Sequence, residues 1–127
     1  MHKTNGLLVS TELTVTSSSE WSSNGDRSIK VCSNYTGYTH VVLVNLACEI
    51  GMVNGSIDIL NNSQTNVYLR LIEMETGQYN DVFISPNESM QHISISRQLT
   101  SSQTIRLSLI VRTPTTIYLD NVSLTNK

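Results

Sequence analysis

Apolar residues in this chain recur at every second position, in short runs, from one end to the other. No segment places them at i, i+3, i+4 and i+7 over three turns, as a helix packed on a core requires. A backbone that sends successive side chains to opposite faces is a β-strand, so the alternation itself sorts each run into a buried and an exposed face. Such runs fall at 12–16, 28–32, 40–48, 56–60, 67–74, 82–85, 91–96, 104–112 and 116–124. Between them stand turn formers: Asn24-Gly25-Asp26, Thr36-Gly37, Asn54-Gly55, Asn61-Asn62-Ser63, Thr76-Gly77, Ser85-Pro86-Asn87 and Thr113-Pro114. Glycine, asparagine and aspartate tolerate the left-handed backbone of tight turns, and proline fixes φ. Short strands joined this way predict an all-β chain folded as an antiparallel sandwich or barrel.

A chain of 127 residues is one domain, able to bury about two thirds of its unfolded surface. The net charge of −2 gives neither nucleic acid nor an anionic membrane an electrostatic foothold. Lysine is confined to Lys3, Lys30 and Lys127, and the arginines are Arg27, Arg70, Arg97, Arg106 and Arg112. No apolar run approaches the roughly 20 residues of a membrane span, so membrane insertion is not expected. Met1-His2-Lys3 lacks the apolar core of a signal peptide. The expectation is a piece of a larger protein, with residues 1–6 outside the ordered domain. Asn-X-Ser/Thr sequons begin at Asn34, Asn54, Asn61, Asn87 and Asn121, which favours an extracellular or cell-surface setting. Cys32 and Cys48 form no C-x-x-C; they either bridge or remain two free thiols, and free thiols are the expectation if their strands belong to different sheets.

The last run, Thr116-Ile117-Tyr118-Leu119-Asp120-Asn121-Val122-Ser123-Leu124, carries a carboxylate in mid-strand. Ile117, Leu119, Val122 and Leu124 pack inward only if one extra residue is inserted at Asp120-Asn121, as in a β-bulge. The segment resembles the "Y-I-D-N/D-V-S-L" ending of jelly-roll carbohydrate-binding modules of families four, nine, sixteen and twenty-two, with a galactose-binding-like sandwich. Residues 22–31 resemble the modules' "H-S-G-x-x-S-L-K-V" turn and strand. Residues 89–96 resemble their "W-Q-x-I-S-x-x-F", with Met90 in place of the tryptophan. The N-terminal "N-P-G-F-E" of such modules is represented only by Asn5-Gly6-Leu7. The resemblance implies a jelly-roll β-sandwich of two sheets with four to five strands each. The strands at Ser28, Ser56, Gln91 and Thr116 would share one sheet. Those at His40, Val67, Val82 and Thr104 would share the other, whose exposed concave face holds sugar in the family.

Alternation then separates core from candidate site. Val67, Leu69 and Leu71 point inward and leave Tyr68, Arg70 and Ile72 outward. Ile105, Leu107, Leu109 and Val111 inward leave Arg106, Ser108, Ile110 and Arg112 outward. Val82 and Ile84 inward leave Tyr79, Asp81 and Phe83 outward. The run 40–48 is nearly all apolar and its parity is ambiguous; Val42, Val44 and Leu46 inward would expose Val41, Leu43 and Asn45. The candidate ligand-binding set is therefore Tyr68, Arg70, Tyr79, Asp81, Phe83, Arg106 and Asn45. Aromatic faces suit the C–H side of a sugar ring, and planar donors and acceptors suit its hydroxyls. The other reading has the aromatics merely covering the sheet, with Arg70 and Arg106 paired to Asp81 or Glu73. Trp21 fits either a loop-edge sugar platform or a cap on the core, and Tyr35 and Tyr38 either exposure or packing.

The resemblance also implies a structural calcium held by Asp120, Asp26 and Ser28, with backbone carbonyls around 24–28 and Glu12 as further oxygen donors. Without an ion, Asp120 would accept turn amides. No Gly-x-Ser-x-Gly, His-Glu-x-x-His or phosphate-cradling glycine loop is present, and His2, His40 and His92 are scattered. The expected function is a non-catalytic carbohydrate-binding module with a poly- or oligosaccharide partner. The alternative is a structural or adhesive spacer domain of a cell-surface protein with the same fold and no sugar binding.

Overall fold

The computed structural model describes residues 13–18, 28–33, 38–61, 67–112 and 115–127. The strands are β1 (Leu13–Ser18), β2 (Ser28–Ser33), β3 (Tyr38–Cys48), β4 (Gly51–Leu60), β5 (Val67–Glu73), β6 (Tyr79–Ile84), β7 (Gln91–Leu99), β8 (Gln103–Arg112) and β9 (Thr115–Asn126). They form a five-stranded sheet, β1-β2-β9-β4-β7, and a four-stranded sheet, β3-β8-β5-β6, with every pairing antiparallel. This is the division of strands that the resemblance implies. Among the described residues no helix is long and apolar enough to cross a membrane.

The core lies between the two sheets. Val67, Leu69 and Leu71 of β5, Ile105, Leu107, Leu109 and Val111 of β8, and Ile57, Ile59, Ile117 and Leu119 of the facing sheet are fully buried. Cys48 joins this cluster, with its Sγ 3.5 Å from the Leu46 carbonyl; its thiol is free, and burial raises its pKa. Cys32 sits on β2 of the other sheet, and its side chain, like residues 1–6, lies outside the described part of the chain.

Two bulges set the parity. In β9, Ser123 pairs with Ser56 and Asp120 with Asp58, so Asn121 and Val122 together oppose Ile57. Asn121 takes φ 50°, a left-handed value that asparagine accepts more readily than most residues. The slip in the apolar pattern at Asp120-Asn121 is this bulge. A second bulge was not anticipated. Val42 pairs with Ser108 and Val44 with Leu107, which leaves Leu43 as the extra residue of β3. Val44 and Leu46 therefore face the core as expected. Leu43, expected outward, joins the core, and beyond the bulge the phase flips, so that Val41, opposite Leu109, points inward and Val42 does not.

Asn54-Gly55 is not a turn. Both residues sit inside β4, with Gly55 paired to Ile95 on one side and Leu124 on the other. A Cβ on Gly55 would lie 3.0 Å from Leu107 Cδ1 and 3.3 Å from Ile95 Cγ2, so glycine here lets the sheets approach. Two ladders outweigh the local preference of Asn-Gly for a hairpin turn. Thr76-Gly77 does turn: Gly77 has φ 79° and its N–H donates to the Glu73 carbonyl at 2.8 Å.

At one end of the core the inward phase becomes polar. Glu73 closes β5 and Arg97 lies on β7 of the opposite sheet, and both side chains point between the sheets. Arg97 Nε donates to Glu73 Oε2 at 2.5 Å, and the guanidinium also bonds Asn80 and, at 3.0 Å, Gln78. Glu73 Oε1 further accepts from Thr76 Oγ1 at 2.9 Å and Gln103 Nε2 at 2.6 Å. Arg97 above all, then Thr76 and Gln103, hold the Glu73 carboxyl below its ordinary pKa against the opposing effect of burial.

Candidate functional site

The outward face of the four-stranded sheet is a grid of three rungs, fixed by register. His40, Ile110, Tyr68 and Phe83 form the first. Val42, Ser108, Arg70 and Asp81 form the second. Asn45, Arg106, Ile72 and Tyr79 form the third. Neighbouring strands stand about 4.8 Å apart and successive rungs two residues apart, so each side chain is within reach of its grid neighbours. All seven candidate ligand-binding residues, Asn45, Tyr68, Arg70, Tyr79, Asp81, Phe83 and Arg106, fall on this one face.

The middle rungs are tied together. Arg70 donates through Nε to Asp81 Oδ1 at 2.7 Å and through Nη2 to Asp81 Oδ2 at 2.9 Å, a bidentate pair. Its Cζ lies 3.9 Å from the centroid of the Tyr79 ring, at cation–π distance. The hydrogen bond to Asp81 is the main cause that raises the pKa of Arg70. Tyr68 and Phe83 pack as a tilted pair with ring centroids 5.1 Å apart, Phe83 exposed and Tyr68 half-buried. Arg106 donates from Nε to Asn45 Oδ1 at 3.0 Å. Glu73, the other carboxylate considered for these arginines, faces the core and belongs to Arg97.

A depression of about 420 Å3 opens on this face, lined by His40, Tyr68, Arg70, Asp81 and Ile110. Ile110, at 3% exposure, is outward by parity yet buried beneath the larger side chains that line the depression with it, and Ser108 on the next rung is 2% exposed. His40 was not among the sequence candidates. It stands at the edge of an apolar run whose phase the bulge at Leu43 conceals, and only the pairing with Ile110 reveals its place. Its pKa is lowered, first by desolvation where the ring enters the depression, then by Arg70 and, more weakly, Arg106, with Asp81 acting in the opposite sense.

Of the expected metal ligands, the described one, Asp120, lies on the outer side of the other sheet. The Asp120 carboxylate is fully buried, and its Oδ1 accepts the Asn121 N–H at 2.9 Å. Asp58, its partner across the β4–β9 ladder, has Oδ1 2.6 Å from His92 Nδ1 and takes the Asn121 amide at 2.8 Å through Oδ2. The β2–β9 ladder ends at Ile29 opposite Leu119, which brings the backbone of Ser28 beside Asp120. Asp26, Glu12, Trp21 and Tyr35 lie outside the described residues, as do the side chains of Ser28 and Tyr38. Among the described residues no three His, Cys, Asp or Glu side chains gather as a metal site would require. A buried carboxylate beside the Ser28 backbone fits the hard oxygen donors calcium prefers.

No protein-family profile and no curated protein sequence matches the chain. Solved structures do. A family 16 carbohydrate-binding module superposes with TM-score 0.70 at 9% identity, over 96% of this chain and 92% of that one. A family 61 module solved in complex with β-1,4-galactotriose gives TM-score 0.70 at 12% identity, over 98% and 91%. The family 22 xylan-binding domain of Paenibacillus barcinonensis Xyn10C gives TM-score 0.67 at 12% identity, over 98% and 87%. At such identities the likeness is one of fold. The chain has the jelly-roll β-sandwich of carbohydrate-binding modules, along nearly its whole length.

Proposed function

We propose that this domain is a non-catalytic carbohydrate-binding module of a secreted or cell-surface protein, with its glycan on the outward, concave face of the four-stranded sheet. One observation carries the reading: the Tyr68, Phe83 and Tyr79 rings, two arginines, a carboxylate and an amide share a single face around a depression. Aromatic walls with planar polar groups between them match a sugar's apolar ring faces and equatorial hydroxyls. Among the neighbouring folds, one solved with β-1,4-galactotriose and one a xylan-binding domain support sugar as the ligand class. A structural calcium at Asp120, completed from residues 24–28, belongs to the same reading and is supported by the burial of that carboxylate.

A second reading is favoured by the Arg70–Asp81 pair, whose polar atoms satisfy each other without a ligand. On that view the face is a spacer's surface. A glycan-array screen with and without calcium, followed by titration of Tyr68→Ala, separates the two. Stacking on one ring is worth about 1 kcal/mol, so Tyr68→Ala should weaken binding roughly five-fold. Its melting temperature should change little, because the ring lies outside the core. Absence of binding to every glycan selects the spacer. Undiminished binding by Tyr68→Ala and Arg70→Ala moves the site to the loops around Trp21 and Tyr38.

A further inference from the structure

The charges on this face do not balance, and the imbalance names a ligand class. Its only carboxylate among the described residues is Asp81, and both oxygens of Asp81 are taken by Arg70. Arg106, on the next rung, has no carboxylate partner among the described residues. Its Nε is held by Asn45 Oδ1, which aims the guanidinium, while both Nη groups make no hydrogen bond to described protein atoms. Asn45 Oδ1, the nearest acceptor, is used in that contact. The face therefore offers unclaimed planar donors and few unclaimed acceptors, on a rung where Ile72 lies between Arg106 and Tyr79. Desolvation is the first cause that lowers the pKa of His40, and Arg70 and Arg106 add a positive potential at that ring against the opposing Asp81. This potential stands out on a chain whose net charge is −2.

Resting on the binding reading above, we infer that the glycan is acidic: a uronate-bearing oligosaccharide whose carboxylate docks on the Nη edge of Arg106 while its sugar rings lie along Tyr68 and Tyr79. A neutral sugar's hydroxyls donate as readily as they accept, and would leave the guanidinium edge half used. A carboxylate accepts two parallel N–H bonds in the guanidinium plane, which is the geometry Arg106 leaves open. Arg70 serves less well in its place, since Asp81 takes its Nε and Nη2 and balances its charge.

The test uses matched pairs that differ only in charge: oligogalacturonate, oligoalginate and glucuronate-substituted xylo-oligosaccharides, each as free acid and as methyl ester, with neutral galacto- and xylo-oligosaccharides alongside. Calorimetric titration against the wild-type domain should give at least one acid form binding about ten-fold tighter than its ester, as expected for charge-assisted hydrogen bonds in place of neutral ones. The preference should shrink as salt is raised. Arg106→Gln should reduce the acid-over-ester ratio to about one, and Arg106→Lys should restore only part of it; circular dichroism confirms that both variants fold. Equal affinity within every pair, or an acid preference that survives Arg106→Gln, overturns the inference. Binding of neutral glycans with no acid preference would leave the binding reading standing while refuting this one. Binding of no glycan at all would refute both.

Discussion

Replacing Arg97 by methionine would leave the Glu73 carboxylate buried between the sheets without its cation, with 7% of its side chain exposed. Breaking one half of a buried ion pair costs about 3–5 kcal/mol. The lower end applies here, because Thr76 Oγ1 and Gln103 Nε2 continue to serve Oε1. A loss of about 3 kcal/mol is a large share of the roughly 5–15 kcal/mol that stabilise a domain. For a chain of this size it corresponds to a melting temperature lower by roughly 10 °C. Glu73→Gln keeps most of the hydrogen bonds and removes the charge, so it should cost less, about 1–2 kcal/mol. The double variant should cost less than the sum of the two by about 1.5 kcal/mol, because each single change strands a partner that the double removes. Urea unfolding followed by far-ultraviolet circular dichroism, with an unchanged dependence on denaturant, measures all three. Additivity within about 0.5 kcal/mol would refute the coupling and reduce the contact to two separate side chains. The pair also sets an acid limb. The folded Glu73 carboxyl titrates below its ordinary 4.5, so its stabilisation is complete above that pH and is lost as pH falls through the folded value. In Arg97→Met the limb should begin at higher pH.

Two further outcomes are expected. If Asp120 holds calcium in the folded state only, chelation should lower the melting temperature and Asp120→Ala should remove that sensitivity; an identical melting curve in chelator, with no metal by elemental analysis, would exclude the site. His40 titrates below 6.5 in the folded domain, so the unfolded chain takes up its proton first and stability should fall as pH drops below about 6.5; His40→Gln should flatten that part of the profile, and an unaltered profile would show that another group is responsible.

Much of this was legible because alternation is a two-valued signal. Residues 67, 69 and 71 of β5, 82 and 84 of β6, and 105, 107, 109 and 111 of β8 are all apolar, so Tyr68, Arg70, Tyr79, Asp81, Phe83 and Arg106 could be assigned to the outer face residue by residue. Asn45 followed from Val44 and Leu46. What failed, failed where the signal is flat. Residues 41–44 are Val, Val, Leu and Val, so no phase can be read there, and a bulge at Leu43 costs nothing visible in the pattern. His40 was hidden for that reason. The bulge at Asn121 was visible because polar residues flank it. Asn54-Gly55 misled because turn chemistry is local, whereas the two ladders that hold β4 come from strands about 40 and 70 positions away in sequence. The Glu73–Arg97 pair had a signal that went unread: a charge on the inward phase of each of two strands from opposite sheets, Glu73 closing β5 and Arg97 between Ile95 and Leu99 of β7.

The burial of Gly55 in the ladder also bears on how this chain ages. Asn-Gly is the dipeptide most prone to deamidation, because the glycine amide nitrogen can swing round and attack the asparagine side-chain carbon to close a five-membered imide. In β4 that swing is blocked. Gly55 is held in register with Ile95 and Leu124, and the Asn54 Oδ1 accepts from Ser96 Oγ at 2.8 Å. Ring closure must wait for the strand to leave both neighbours, an opening that costs a free energy near that of global unfolding for a central strand. Isoaspartate at Asn54 would therefore accumulate in denatured or damaged molecules and not in folded ones, so each folded molecule keeps the amide it was synthesised with.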